Sequence, residues 1–366
     1  MDPKKRALTA AAVGTALGIG GLAVIAMPAS AGDAPPVLPQ ISAEELAQSA
    51  VTAQQPAFDG TVKVTNNLGL PGIGQIVPGA NPLSMDSAHI YSDGAGKSKL
   101  TVSKGSSQET VVHNGATVWD YNSQTNAATK TTIPADVAKK ADAGSDKVTD
   151  PTAAAKELLA KVRESSTVSV DGTAKVAGRS AYEVVFTPKP TERTLLREIR
   201  VAVDAEKRVP LRLSVMNNGS SEPALQVTFT DIQFAQQSAS LFEFTPPKGA
   251  KVTEKQPQLD QGTLDQAQQT AEKDVKIVGD GWDTVLTGKV PADLLAGKAP
   301  SGEQGQPGRG VDPKAILAKI GKPVSGTWGS GYLITTKVGT AVLADDGRFA
   351  AGAVPEQVLF EALGTK

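Results

Sequence analysis

Tyr182-Glu183-Val184-Val185-Phe186, Ile199-Arg200-Val201-Ala202-Val203, Leu211-Arg212-Leu213-Ser214-Val215 and Leu225-Gln226-Val227-Thr228-Phe229 follow one another along the chain. The series ends at Leu241-Phe242-Glu243-Phe244-Thr245-Pro246-Pro247-Lys248-Gly249-Ala250. Every second residue of each run is large and apolar, while Glu183, Arg200, Arg212 and Gln226 fall between them. A strand turns successive side chains to opposite faces, so this pattern describes an antiparallel sheet with one greasy face. The fold follows from it more directly than any activity does.

Upstream, Ser42 and Glu45 stand at capping-box spacing, with Ile41 and Leu46 placed as a hydrophobic staple, which predicts a helix over 43–53. Strands are expected over 58–65, 98–102, 109–113 and 117–121, and Asn114-Gly115 supplies a hairpin turn. A second helix begins after Asp150-Pro151. Strands grouped around a helix with short connections argue for an antiparallel α+β domain over residues 41–255.

Residues 256–272 are polar and read as a linker to a small C-terminal α+β module over 273–366. That module is expected to hold a strand at 275–278, a Gly/Pro-rich loop at 297–310, a short helix after Asp312-Pro313, a hairpin turning at Asp345-Asp346-Gly347-Arg348 and a C-terminal helix after Pro355. Trp282 and Trp328 each sit beside a glycine and read as packed aromatics of this module.

Lys4-Lys5-Arg6, a largely apolar run over 7–27 and Ala29-Ser30-Ala31 have the order of an export signal over residues 1–31. Residues 7–27 are also long enough, at roughly 20 residues, to remain as a membrane anchor. Both readings place the protein outside the cytoplasm, in the cell envelope or secreted. Residues 32–40, with three prolines, read as a tether.

Of 37 basic and 38 acidic residues, loss of 1–31 removes Lys4, Lys5, Arg6 and Asp2 and leaves 34 against 37, which argues against nucleic acid as a partner. There is no cysteine, so neither disulfides nor a lipidated cysteine contributes, and a packed core must hold the fold.

Chemistry-bearing motifs are sparse. His89 and His113 are the only histidines and predict no metal site. Ser330, in Gly329-Ser330-Gly331, lacks the nucleophile-elbow pattern and supports a hydrolase only weakly. The glycines over 302–310 form no dinucleotide fingerprint, and Asp345-Asp346-Gly347 is turn chemistry. No catalytic residue and no cofactor is expected.

His113-Asn114-Gly115-Ala116-Thr117-Val118-Trp119-Asp120-Tyr121, Gly178-Arg179-Ser180-Ala181-Tyr182, Val203-Asp204, Val209-Pro210-Leu211 and Phe242-Glu243-Phe244-Thr245-Pro246-Pro247 occur in an order and spacing that resemble the LolA/LolB/RseB-like superfamily of lipoprotein carriers and envelope-stress sensors, in its actinobacterial form. The resemblance implies an incomplete barrel of about 11 antiparallel strands, closed by helices around an apolar cavity. It also implies an acyl lipid or lipoprotein as ligand, bound without catalysis. Sensors of the RseB type append a C-terminal domain that contacts a single-pass membrane anti-sigma regulator, so an envelope-sensor role is the alternative.

On this reading the cavity is lined by Val62, Val64, Trp119, Tyr121, Tyr182, Val184, Phe186, Val201, Leu213, Val215, Val227 and Phe229. Plain core packing is the bland alternative for any one of them. For Trp119 and Tyr121 together, a structural anchor competes with a ligand platform. The apolar, breaker-rich stretch 68–79 is expected to form either a lid, through Leu68, Leu70, Ile73 and Ile76, or a fixed plug.

Overall fold

The computed structural model describes residues 35–69, 87–133, 151–255, 275–290 and 313–364. Two sheets organise them. The larger is built from β1 (Phe58–Asn66), β2 (Ser87–Ser92), β3 (Ser98–Lys104), β4 (Ser107–Asn114), β5 (Thr117–Asn122), β6 (Ala127–Thr132), β7 (Ser166–Val176), β8 (Arg179–Pro188), β9 (Leu196–Asp204), β10 (Pro210–Asn217), β11 (Leu225–Gln233) and β12 (Lys251–Lys255). In space they run β12-β6-β5-β4-β3-β2-β1-β11-β10-β9-β8-β7. Two meanders, β1 to β6 and β7 to β11, are thus zipped together where β1 pairs with β11.

As an incomplete barrel requires, the sheet is open, with β12 and β7 as its edges; the expectation of a purely antiparallel sheet is corrected, because β12 runs parallel to β6. The chain reaches β12 through Pro246 and Pro247 instead of a tight hairpin, which permits the parallel approach. The strands as a whole outweigh the helices, so the fold is mainly β.

Helices α1 (Ala43–Thr52) and α2 (Pro151–Ser165) cover part of one face. The capping box is present: Ser42 Oγ accepts from Glu45 N–H, and Glu45 Oε2 accepts from Ser42 N–H at 2.9 Å. Leu46 is 1 % exposed and packs against Tyr182 and Val203, with Val170, Val184 and Val201 beside it. Full burial of such a side chain contributes about 1.5–3 kcal/mol. Arg163 of α2 pairs with Glu44 of α1. The segment expected to be a tether lies against this domain from residue 35: Thr173 Oγ1 donates to Pro36 O at 2.7 Å and Tyr182 Oη to Pro39 O at 3.1 Å.

The smaller sheet comprises β13 (Val275–Val278), β14 (Val285–Lys289), β15 (Lys322–Gly326), β16 (Gly329–Thr335), β17 (Thr340–Ala344) and β18 (Arg348–Gly352), ordered β13-β14-β18-β17-β16-β15. Helix α3 (Pro313–Ile320) precedes β15, and α4 (Glu356–Gly364) buries Val358, Leu359 and Leu363 against Val285, Leu333, Val342 and Ala350. Trp328 is core here and stacks on Phe360 at 5.4 Å. Trp282 is not: it stands half-buried where the two sheets meet.

That junction is polar and specific. Trp282 N–H donates to Glu192 Oε2 at 2.7 Å, and its indole Nε1–H donates to Ser166 Oγ at 2.7 Å. Leu195 N–H and Thr194 Oγ1 both donate to Ala353 O, at 2.9 and 2.6 Å. Lys337 N–H donates to Leu68 O at 2.9 Å, and Arg193 pairs with Glu361 at 2.7 Å.

Candidate apolar binding site

The ladders fix which side chains share a face, because directly paired residues point the same way. Across β7, β8, β9, β10, β11 and β1 runs the rung Val170, Val184, Val201, Leu213, Val227 and Val64. Two residues along lies Tyr182 opposite Val203, sealed under Leu46. Two residues the other way lies the rung Val168, Phe186, Ile199, Val215 and Leu225. Val62 pairs with Phe229 and Ala88 on the same face.

Ten of the twelve expected lining residues therefore share one face: Val62, Val64, Tyr182, Val184, Phe186, Val201, Leu213, Val215, Val227 and Phe229. Val62, Tyr182, Val227 and Phe229 are buried in packed core; Val64, Val184, Val201 and Leu213 are half-buried and packed against it, and Phe186, Val215 and the neighbouring Ile199 are half-buried as well.

Trp119 and Tyr121 do not join them. Following Val62 to Ala88, Val102, Glu109 and Asn122 places even-numbered β5 residues on the shared face and turns Trp119 and Tyr121 to the other. There both rings pack on Phe244, at 5.4 and 5.7 Å. Their alternation is correct along β5, but the register across β3 and β4 inverts their face relative to β1, and only the pairing carries that information. The Phe-x-Phe run is likewise no strand. A 3₁₀ turn, Ala239–Phe242, buries Phe242, and Phe244 follows it onto the aromatic pair.

Of the lid candidates, Leu68 is buried, with its carbonyl held by Lys337 of the C-terminal module. Leu70, Ile73 and Ile76 lie outside the described residues.

The rung of Phe186, Ile199 and Val215 runs into a cleft of about 500 Å³ at the junction of the sheets. Ile199 and Leu196 of β9 and Val162 of α2 form its apolar sides, with Trp282 and Ala353 contributed by the C-terminal module. Lys161, Ser166 and Asp280 supply polar groups. Leu196, Val162 and Trp282 were not among the expected lining residues. Val162 carried a signal, its helical spacing, whereas Trp282 is brought there by the docking of a separate module.

The opposite face of β7 to β10 is charged and self-neutralised. Arg200 meets Glu198 at 2.8 Å and Glu183 and Asp171 at 3.4 Å each, and Arg212 pairs with Glu183. Desolvation acts to raise the Glu198 carboxyl, but its bonds to Arg200 and Arg197 outweigh that and hold it below the usual range. This face is covered and not open to water, because Val185, Ala202, Ser214, Met216, Gln226 and Thr228 on it are all buried beside the ion pairs.

The two histidines are occupied apart: His89 Nδ1 contacts Thr61 Oγ1 at 3.2 Å, while His113 bridges two hairpin turns through Gly96 O and Gly115 O, at 2.8 and 3.0 Å. Ser330 Oγ donates to the Asp345 carboxylate at a hairpin end.

A family model described as the MucB/RseB N-terminal domain matches residues 77–259, half of the chain. Among solved structures, the chain is similar to the MucA/MucB complex of Pseudomonas aeruginosa, with 14% identity, 87% of this chain and 94% of that chain covered, and a TM-score of 0.43. It is similar also to a LolA superfamily protein from Nitrosomonas europaea, with 9% identity, 56% and 99% covered and a TM-score of 0.23. For the lipoprotein LppX of Mycobacterium tuberculosis the values are 12%, 50% and 89%, and 0.28. No curated protein matches the chain.

Proposed function

We propose a function from the premise that this chain belongs to the MucB/RseB family: it is an exported, non-catalytic binder of acyl lipid or lipoprotein, with residues 41–255 as the binding domain. The observation that carries the reading is the apolar face of the large sheet, which is sealed at Tyr182 and Val203 but only half-buried at Phe186, Ile199 and Val215. A core that served packing alone would close along its length, since exposed apolar rows cost solvation. Burial of eight acyl methylenes there contributes roughly 6 kcal/mol at ~0.8 kcal/mol each, before ordering costs. The protein acts outside the cytoplasm. Among the described residues no helix is long and apolar enough to cross a membrane, and residues 7–27 lie outside them.

The test is mass spectrometry of an organic extract from protein purified without detergent from its own host. A stoichiometric acyl lipid is expected. An empty protein that also ignores fluorescent fatty acids would remove the carrier reading.

Envelope sensing is the second reading, and the docked C-terminal module is the observation that supports it. In it, residues 273–366 contact a single-pass membrane regulator. Recovery of such a protein in a pull-down through 273–366 supports sensing, and recovery of lipid alone supports carriage.

A further inference from the structure

We infer that the junction cleft is an acyl-chain site built jointly by both modules, so that the C-terminal module is part of the ligand site and not an appendage to it. The inference rests on the lipid-binding function proposed above and adds where the chain lies and what holds its head. The cleft continues the half-buried apolar residues Phe186, Ile199 and Val215, through Ile199 and Leu196, and at about 500 Å³ it falls within the ~300–1,000 Å³ of small-molecule sites.

Its far wall is the Trp282 indole. Both N–H groups of that residue are already committed, to Glu192 and to Ser166, so the ring is fixed and offers the cleft an apolar surface without an unpaired donor. Ser166 is buried, and its Oγ accepts the indole bond, which leaves its own hydroxyl proton to donate. Lys161 brings a cation to the same cleft, while Asp280 brings an opposing charge that disfavours a phosphate dianion. A hydrocarbon chain ending in a carboxylate or an ester carbonyl fits these groups. A free fatty acid and the acyl group of a lipoprotein share that chemistry.

The experiment is photolabelling of the full chain with a diazirine analogue of palmitate, mapping the labelled peptides by mass spectrometry. Label is expected in peptides carrying Val162, Leu196 or Trp282, and Val162→Glu and Leu196→Glu should each reduce it at least tenfold with circular dichroism unchanged. Should either variant fail to fold, Lys161→Glu, on an exposed side chain, should still lower labelling severalfold. Displacement of the probe by a triacylated lipopeptide identifies the natural source as lipoprotein, and displacement by palmitate alone identifies it as free acid. Either result supports the site. Labelling confined to the Val64 and Val227 rung, unaffected by these variants, would overturn the junction site and leave the carrier function standing. Absence of any labelling, with no fluorescent fatty acid bound, would remove both.

Discussion

Asp204 is wholly buried at the end of β9, and its neighbours rather than solvent keep it charged. Arg179 donates to both carboxylate oxygens, and the backbone N–H groups of Glu206 and Lys207 donate to Oδ1 at 2.9 and 2.6 Å. Desolvation would raise this carboxyl, but those bonds outweigh it and hold it below the usual carboxylate range. Gly178-Arg179 and Val203-Asp204, two separate pieces of the sequence resemblance, are thus halves of one interaction that locks the β9 to β10 turn. Because the folded value is lowered, the stabilisation is complete above the unfolded value near 3.9 and is lost as pH falls through the folded one. Asp204→Asn is expected to lower stability at pH 7 by about 1.5–3 kcal/mol, since it removes the buried charged acceptor of Arg179 and leaves that guanidinium only the exposed Glu206, at 3.1 Å. The same variant should flatten the decline of melting temperature below roughly pH 4. A melting series from pH 2 to 7 checks both, and parallel acid profiles for the two proteins would exclude Asp204 as the titrating group.

At the scale of elements, the strands that alternate cleanly were legible and those that break the pattern were not. β8 to β11 carry regular period-two runs and form as expected. β7 was missed because Asp171-Gly172 reads as a turn, whereas Gly172, with φ +87°, is a bulge inside one long strand, where the pairing shifts between Val170 and Thr173. β2 has only Ala88 and Ile90 to mark it, and β12 is a charged edge whose parallel partner is remote in sequence. Gly172→Ala is expected to destabilise by about 1–2 kcal/mol, the cost of a left-handed conformation for a residue with a Cβ, which denaturant unfolding will measure.

The aromatic anchor gives a second expectation at this scale. Phe242→Ala should cost about 3–5 kcal/mol as a large-to-small core change. Phe244→Ala should cost less and shift Trp119 emission, while acyl binding is retained, because the opposite face is untouched. Loss of binding in Phe244→Ala without loss of stability would return Trp119 and Tyr121 to the ligand site.

For the whole molecule, the decisive information lies between the two sheets, and there the sequence is silent. Each module has its own core, so periodicity could outline both while carrying nothing about their mutual placement. Gly281 shows how close that placement is. A Cβ there would lie 2.8 Å from the Ser165 side chain and closer still to the Glu192 carboxylate, which itself holds the Trp282 amide. Only a residue without a side chain lets the modules meet. Gly281→Val should therefore force Glu192 away and break the Trp282 contacts without touching Val285, Leu333, Val342 or Leu359 in the module's own core. The expected outcome is two resolved thermal transitions in place of one, a larger radius of gyration by small-angle scattering and red-shifted Trp282 emission. A variant that keeps a single transition and an unchanged radius would mean that the bonds from Thr194 and Leu195 to Ala353 and from Lys337 to Leu68 hold the junction by themselves. In that case Trp282 would be a passenger at the cleft and not the clasp that aligns its two walls.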